Sequence, residues 1–165
     1  MIYINKKKKV SYANRGMKLE KIITDKCNEY IKNDIAYIYK IPTNWNVIRK
    51  GKNIVSAFPK KKSIIDFMGT YQGRAIGIEA KSTTNETSFP FSNIAEHQWD
   101  FFEKWCTQAK GYYIVWFKKI NKMFLVNAGD MQNAKDTLDR KSAPLDWFVD
   151  NTIELDDNVD FIKHM

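Results

Sequence analysis

Hydrophobic side chains recur with a helical period in the first part of the chain. Between Met17 and Lys32 they recur at helical spacing, at Met17, Ile22, Ile23, Cys27, Tyr30 and Ile31. This spacing places them on one face of an α-helix, so the pattern predicts a helix over the whole segment.

A second helical stripe lies in the middle of the chain and predicts a helix from about Asn93 to Ala109. Asn93 and Glu96 have the spacing of a capping box, and Gly111 follows the end. The apolar side of this helix is formed by Ile94, Phe101, Phe102, Trp105 and Ala109. Gln98 falls on the same side, and a polar residue there needs a hydrogen-bonding partner.

Short alternating or continuous apolar runs between and after these helices predict strands. One is DIAYIYKIP (34–42), which Pro42 would end because proline cannot donate to a ladder. NIVSAF (53–58) predicts either a strand or part of a projecting hairpin. Two strands are predicted around the turn GTYQG (69–73), and two more at GYYIVWF (111–117) and KMFLVNA (122–128). From Gly129 the tail predicts one helix plus irregular segments around Pro144 and LDWFV.

This order of elements predicts an α/β or α+β fold with a mixed central sheet flanked by helices. The 165 residues contain no repeat and no low-complexity linker, so a single domain over 1–165 is expected.

The charge balance favours a polyanionic partner. The chain has 27 Lys and Arg against 19 Asp and Glu, a formal net charge of +8. Nucleic acid is the first candidate and an anionic membrane the second. The basic run in residues 5–15 is either a flexible DNA-contacting arm or a solubilising terminus. A second basic stretch contains Arg49, Lys50, Lys52, Lys60, Lys61 and Lys62.

Several classes of protein are disfavoured by what the sequence lacks. Cys27 and Cys106 are far apart and form no CxxC pair, which disfavours a disulfide framework and a thiolate zinc site. The longest apolar run, Tyr112 to Phe117, is too short to span a bilayer. A soluble, cytoplasmic protein without membrane contact is therefore expected.

The segment IIDFMGTYQGRAIGIEAKSTT (64–84) contains the residues with the clearest chemistry. Strand alternation places Glu79 and Lys81 on one face, with Gly77 leaving space beside them. Asp66 on the neighbouring predicted strand can bring a second carboxylate to the same point. Two carboxylates suit Mg²⁺, and a nearby lysine can orient water or stabilise negative charge, as hydrolysis of a phosphodiester requires.

The Glu-x-Lys spacing alone is not specific. With seven glutamates and 23 lysines in the chain, about one such tripeptide is expected by chance. An exposed strand face with a surface ion pair therefore stays open as an interpretation. Other chemistries fit less well, because the two histidines, His97 and His164, form no HExxH pattern and no GxSxG or phosphate-binding loop occurs.

Four segments together resemble the RecU-type Holliday junction resolvases, which belong to the PD-(D/E)xK, or restriction-endonuclease-like, nucleases. They are ANRGMKLE (13–20), IYKIPT (38–43), DFMGTYQGRAIGIEAKSTTNETSFP (66–90) and NIAEHQ (93–98). The resemblance implies a restriction-endonuclease-like fold with a projecting basic stalk at about 44–63. It also implies a homodimer that resolves four-way junctions by symmetric paired nicks in recombination and repair, with Mg²⁺ or Mn²⁺. Recombinase or branch-migration proteins are conceivable partners.

Carried over by position, the resemblance implies metal ligands at Asp66, Glu79 and Gln98 and a catalytic lysine at Lys81. Glu20 would reach towards the metal from the first helix. The DNA contacts implied are Arg15 in a basic arm at 1–15 and the stalk residues Arg49, Lys52, Lys60, Lys61 and Lys62.

The chain also departs from the family pattern. Ile65 precedes Asp66 where threonine is usual, and Phe67 follows it where tyrosine is common. The interval from Pro42 to Asp66 is short, and the tail at 129–165 resembles the family poorly. Two alternatives therefore stay open: a nuclease of the same superfamily with another DNA substrate, and a non-catalytic DNA-binding accessory protein.

Overall fold

The structure is a computed structural model, and it describes residues 17–42, 45–59 and 64–165. The predicted arm at 1–15 with Arg15, and the predicted DNA contacts Lys60, Lys61 and Lys62, lie outside the described residues. None of the described helices is long and apolar enough to cross a membrane.

The described chain forms four α-helices and ten strands, with single 3-10 turns at Phe91–Asn93 and Ile162–His164. In chain order they are α1 (Met17–Lys32), β1 (Tyr37–Lys40), β2 (Trp45–Lys50), β3 (Asn53–Pro59), β4 (Phe67–Tyr71), β5 (Arg74–Thr83), β6 (Ser88–Pro90), α2 (Glu96–Trp105), β7 (Lys110–Phe117), β8 (Lys122–Asn127), α3 (Ala128–Thr137), β9 (Ser142–Pro144), α4 (Leu145–Asn151) and β10 (Ile153–Leu155). The predicted first helix has the bounds that the structure shows.

Six of the strands form one mixed sheet in the order β1-β4-β5-β7-β8-β10. Only β5 and β7 run parallel in it, and the other neighbours are antiparallel. Parallel neighbours need a long crossover connection, and the chain between β5 and β7 supplies it with α2. This crossover brings α2 over the centre of the sheet, where the candidate site lies.

Hydrophobic cores cover both faces of this sheet. The core on one face includes Leu19 and Ile23 of α1 and Phe161 near the C-terminus. The core on the other face includes Trp99 and Phe102 of α2, together with residues of α3 and α4. The predicted mixed sheet flanked by helices is confirmed.

The alternation predicted along β5 is also confirmed. Ile76 and Ile78 belong to the core on the α1 face, and Ala80 packs against it. Gly77 and Glu79 are buried on the opposite face, but the space beside Gly77 is already filled. A Cβ at position 77 would lie 3.0 Å from Ile65 Cδ1 and 3.1 Å from Trp105 Nε1. The interpretation that Gly77 leaves space beside Glu79 and Lys81 is therefore wrong.

Two predictions about helices are wrong as well. The second helix begins at Glu96 and not at Asn93, since Phe91–Asn93 forms a 3-10 turn; the helix itself ends at Trp105. The predicted Asn93/Glu96 capping box is absent, and the Ala95 N–H donates instead to Gln98 Oε1 at 3.1 Å. The LDWFV segment is not irregular, because it forms most of α4 and buries Phe148.

Strands β2 and β3 pair only with each other and form a separate two-stranded hairpin. Residues 47–58 are all exposed, and Gly51 takes the positive φ of +63° that the turn requires. The prediction of a hairpin here is confirmed. The hairpin also exposes apolar side chains, which were not predicted to lie at the surface: Val47, Ile48, Ile54, Val55 and Phe58.

Gly69 in β4 provides a sharp test of the sheet. A Cβ at this position would lie only 1.9 Å from the backbone oxygen of Tyr37 on β1. Gly69→Ala is therefore expected to lower the free energy of unfolding by about 3 kcal/mol or more, because backbone must move to admit the methyl group. Urea unfolding measures this loss. The control Gly51→Ala adds a methyl group in open space and should cost only about 1 kcal/mol; equal losses would contradict the close approach.

Candidate active site

The predicted site residues come from four elements that meet at the centre of the sheet. Asp66 directly precedes β4, and Glu79 and Lys81 lie on β5. Gln98 is in the first turn of α2, and Glu20 is in the first turn of α1. Asp66 and Glu79 are near neighbours because Phe67, the next residue, pairs with Ile78 across the two strands.

Gln98 holds Glu79 and Lys81 together. Its Nε2 donates to Glu79 Oε1, and its Oε1 accepts from Lys81 Nζ at 2.8 Å and from the Ala95 N–H at 3.1 Å. Since the oxygen faces two donors and the nitrogen faces a carboxylate, these partners fix the orientation of the amide. The polar residue on the apolar side of α2 thus has three hydrogen bonds in a buried position.

Glu79 and Lys81 form an ion pair with 2.8 Å between Oε1 and Nζ, and their side chains are only 3% and 15% exposed. The other carboxylate oxygen, Glu79 Oε2, is buried and accepts no hydrogen bond from the described residues. Burial, followed by repulsion from Asp66, raises the pKa of Glu79 from 4.5 to about 7, although Lys81 and Gln98 oppose this. A buried acceptor without a partner is costly, so Glu79 Oε2 is suited to a ligand.

Asp66 is held in place by the backbone of β5. Its Oδ2 accepts from the Ala80 N–H at 2.9 Å. Burial is the main cause that raises the pKa of Asp66, and the negative charge of Glu20 adds to it. The Ala80 N–H and the positive charges of Lys81 and Lys40 act in the opposite direction.

Lys40 is a member of the site that sequence reasoning missed. Its Nζ forms an ion pair with Glu20 Oε2 at 2.7 Å. Lys40 stands two residues after the buried Ile38 on β1 and therefore shares its face. A lysine on the inward face at a strand end was the signal that could have identified it.

The donor set at the site is compatible with a hard divalent cation. The carboxylates of Asp66 and Glu79 both have raised pKa values and lie side by side. One of their oxygens, Glu79 Oε2, accepts no hydrogen bond from the described residues. No group of three or more His, Cys, Asp or Glu side chains suited to a metal occurs within residues 17–42, 45–59 and 64–165. Two carboxylates with water and phosphate oxygens are the usual surroundings of Mg²⁺, so the residues present fit this ion.

The role predicted for Gln98 as a direct metal ligand is not what its hydrogen bonds favour. Its only oxygen already accepts from Lys81 and from the Ala95 N–H. A cation at Gln98 Oε1 would have to displace Lys81 Nζ, an exchange of like charges at one acceptor. In this arrangement Gln98 orients the side chains of Glu79 and Lys81.

Of the predicted DNA contacts, Arg49 and Lys52 lie within the described residues. Both are exposed on the hairpin. Their hairpin forms its own two-stranded sheet and does not pair with the sheet that holds the carboxylates.

The chain matches the protein family described as "RecU: Recombination protein U" over residues 14–165. It is similar to "Holliday junction resolvase RecU" of Pediococcus pentosaceus, with 35% identity over 156 residues that cover 88% of this chain and 77% of that protein. The protein of the same name from Latilactobacillus sakei subsp. sakei is 37% identical over 155 residues, 87% and 73% of the two chains. The one from Staphylococcus aureus is 38% identical over 125 residues, 71% and 60%.

Proposed function

Because the chain belongs to the RecU family of recombination proteins, with Holliday junction resolvases among its relatives, we propose that it is a Mg²⁺-dependent endodeoxyribonuclease that resolves four-way DNA junctions by symmetric paired nicks. The observation that supports the chemistry is the pair of buried carboxylates, Asp66 and Glu79, beside the restrained Lys81. Asp66 and Glu79 would hold the cation, and Glu79 Oε2 is the oxygen with no competing hydrogen bond among the described residues.

When bound, Mg²⁺ supplies Lewis-acid charge that offsets the negative charge developing on the scissile phosphate. The protein contributes the geometry. Lys81 has three N–H donors, of which Glu79 Oε1 and Gln98 Oε1 take two. The third would donate to a phosphate oxygen or to the attacking water, and its direction is fixed before the substrate arrives.

Paired nicks at a two-fold symmetric junction require two sites related by the same symmetry, and we propose a homodimer for this reason. The exposed apolar side chains of the hairpin, among them Ile54, Val55 and Phe58, support the presence of a contact surface of this kind. Sedimentation velocity should show a dimer at micromolar concentration; a monomer alone would contradict the proposal.

Cleavage of a synthetic four-way junction tests the function directly. With Mg²⁺ the protein should nick two opposing strands at symmetric positions, and with a chelator in place of Mg²⁺ it should leave the junction intact. A linear duplex of the same sequence should be cut far more slowly, because its shape differs. Equal cutting of the duplex would favour a nuclease with another substrate, and cutting without any divalent ion would contradict the role of Mg²⁺.

Arg49 and Lys52 on the hairpin are expected to contact phosphates. The double variant Arg49→Gln/Lys52→Gln should bind the junction more weakly at low salt. The slope of log affinity against log salt concentration should fall by about 0.9 for each lost contact. Fluorescence anisotropy over a series of KCl concentrations measures this slope.

Lys122 and Lys163 supply the matched control for this measurement. Both are exposed lysines that already pair with carboxylates, at 2.8 Å and 3.2 Å. Lys122→Gln/Lys163→Gln removes the same charge and should leave the slope unchanged. If the two double variants have equal slopes of log affinity against log salt concentration, Arg49 and Lys52 do not contact phosphates and serve only to keep the hairpin solvated.

A further inference from the structure

A polar cavity of about 360 Å³ opens beside Lys81, where the strands β5 and β7 end. Its walls present hydroxyl, amide and ammonium groups, including those of Thr84, Asn85, Asn93 and Lys118. No aspartate or glutamate is among the residues that line it. The nearest acidic residue along this loop, Glu86, forms an ion pair with Lys119 at 3.1 Å.

The position of the cavity follows from the parallel pairing of β5 and β7. The Lys118 N–H donates to the Thr83 oxygen at 3.0 Å, so the two strands stay paired up to the floor of the cavity. Ligands of α/β sheets bind outside the carboxyl ends of parallel strands, where the connecting loops diverge. In this chain the diverging loops are 84–87 and 118–121, and Pro90 and Asn93 also line the cavity.

The loop of the cavity is ordered by its own hydrogen bonds, but several of its polar groups are not used by the fold. The Asn85 N–H donates to Thr83 Oγ1 at 3.0 Å, which shapes the turn. The exposed side chains of Thr84 and Asn93 make no hydrogen bond to another described residue. Asn93 has no capping role either, because α2 begins three residues later.

Together these groups match one class of ligand, a singly charged phosphodiester. Hydroxyl and amide groups with one or two lysines are typical of contacts with the nucleic-acid backbone. Lys81 lines the cavity and also pairs with Glu79, so an anion in the cavity and a cation at the carboxylates would lie on opposite sides of one ammonium group. An anion held there would lie beside a phosphate that reacts at the carboxylates.

We propose that this cavity binds the DNA backbone phosphate adjoining the scissile one. Thr84, Asn93 and Lys118 would then position the substrate strand across Lys81. The inference rests on the proposed endonuclease function and names substrate contacts of that same site.

Single phosphate replacements test this assignment. A set of four-way junctions carries one uncharged methylphosphonate at each position around the cut, and junction affinity and single-turnover cleavage rate are measured for each. One position adjoining the cut should weaken binding by the unaltered protein by about tenfold, the size of one charge-assisted contact. Asn93→Ala and Thr84→Val should each weaken binding of the unmodified junction by several-fold, and the methylphosphonate at that one position should then add little.

The comparison across positions decides the outcome. The proposal would be overturned if the loss of affinity from the substitution and the loss from the methylphosphonate were additive at every phosphate. It would also be overturned if the variants bound the unmodified junction as tightly as the unaltered protein. Asn133→Ala removes an exposed amide on α3. It should change neither the junction affinity nor the size of the effect of any methylphosphonate. The binding arm can be measured without cleavage. If the unaltered protein does not cut the junction, the endonuclease function fails; if Asn93→Ala and Thr84→Val still cancel the effect of one methylphosphonate on binding, the cavity nevertheless contacts a backbone phosphate.

Discussion

Asp66→Asn is expected to reduce the rate of junction cleavage by about a thousandfold or more at saturating Mg²⁺. The substitution keeps the shape of the side chain and an oxygen for the Ala80 N–H, which now donates to Asp66 Oδ2 at 2.9 Å. What it removes is one of the two negative charges that would hold the cation. Because the fold and the basic surfaces are unchanged, junction affinity should remain within about threefold of the unaltered protein.

Two assays on one preparation measure this separation: gel-based single-turnover cleavage, and anisotropy of a labelled junction in the presence of Ca²⁺. Asp100→Asn is the matched control, since Asp100 is an exposed acid on α2. It should cleave at the rate of the unaltered protein. If Asp66→Asn cleaves the junction rapidly in Mg²⁺, Asp66 is not required for cleavage.

Glu79→Gln is expected to abolish cleavage and, at the same time, to stabilise the metal-free protein at pH 8. Burial raises the pKa of Glu79 in the folded chain to about 7, against an ordinary value of 4.5. Between these two values the unfolded chain has released its proton while the folded chain keeps it. The free energy of unfolding therefore falls as pH rises through this window, and above pH 7 the folded protein contains a costly buried charge.

Glutamine avoids this penalty and keeps an oxygen for the Nε2 donor of Gln98. The gain in the free energy of unfolding should approach about 3 kcal/mol at pH 8 and should shrink towards zero near pH 4. Urea unfolding of both proteins at the two pH values measures the difference. Mg²⁺ should raise the melting temperature of the unaltered protein at pH 8 and leave that of Glu79→Gln unchanged.

Glu103→Gln serves as the control for this second result, because Glu103 is exposed on α2 and its charge should affect stability little. A Glu79→Gln variant that is no more stable than the unaltered protein at pH 8 would show that the carboxylate is already compensated without a cation.

Local periodicity was sufficient to predict the parts of the site that depend on one element at a time. The spacing in α1 gave the helix its bounds, and the alternation in β5 placed Glu79 and Lys81 on one face. Gln98 was recognisable because a buried amide on an apolar stripe must have partners. Its actual partners, Lys81 and the Ala95 N–H, depend on the crossover that carries α2 over β5.

Features that depend on two or more distant elements were not predictable in the same way. Lys40 becomes part of the site only because α1 packs beside β1 and places Glu20 2.7 Å from it. At the start of α2, Gln98 accepts a hydrogen bond from the Ala95 N–H, which is the role that the predicted capping box assigned to Glu96. The last turn of the chain belongs to the core, where Phe161 packs edge-on against Tyr30 of α1, and a polar sequence pattern cannot show such a contact.

Gly77, Ile65 and Trp105 together form a shared volume behind the carboxylates. Ile65 is fully buried, and the Trp105 ring is anchored through its Nε1, which donates to the Lys110 oxygen at 2.8 Å. Because a protein interior is packed at nearly crystal-like density, a Cβ added at Gly77 would crowd both Ile65 and Trp105. The size of the residue at position 77 is therefore set by its neighbours, and a side chain there requires Ile65 or Trp105 to move.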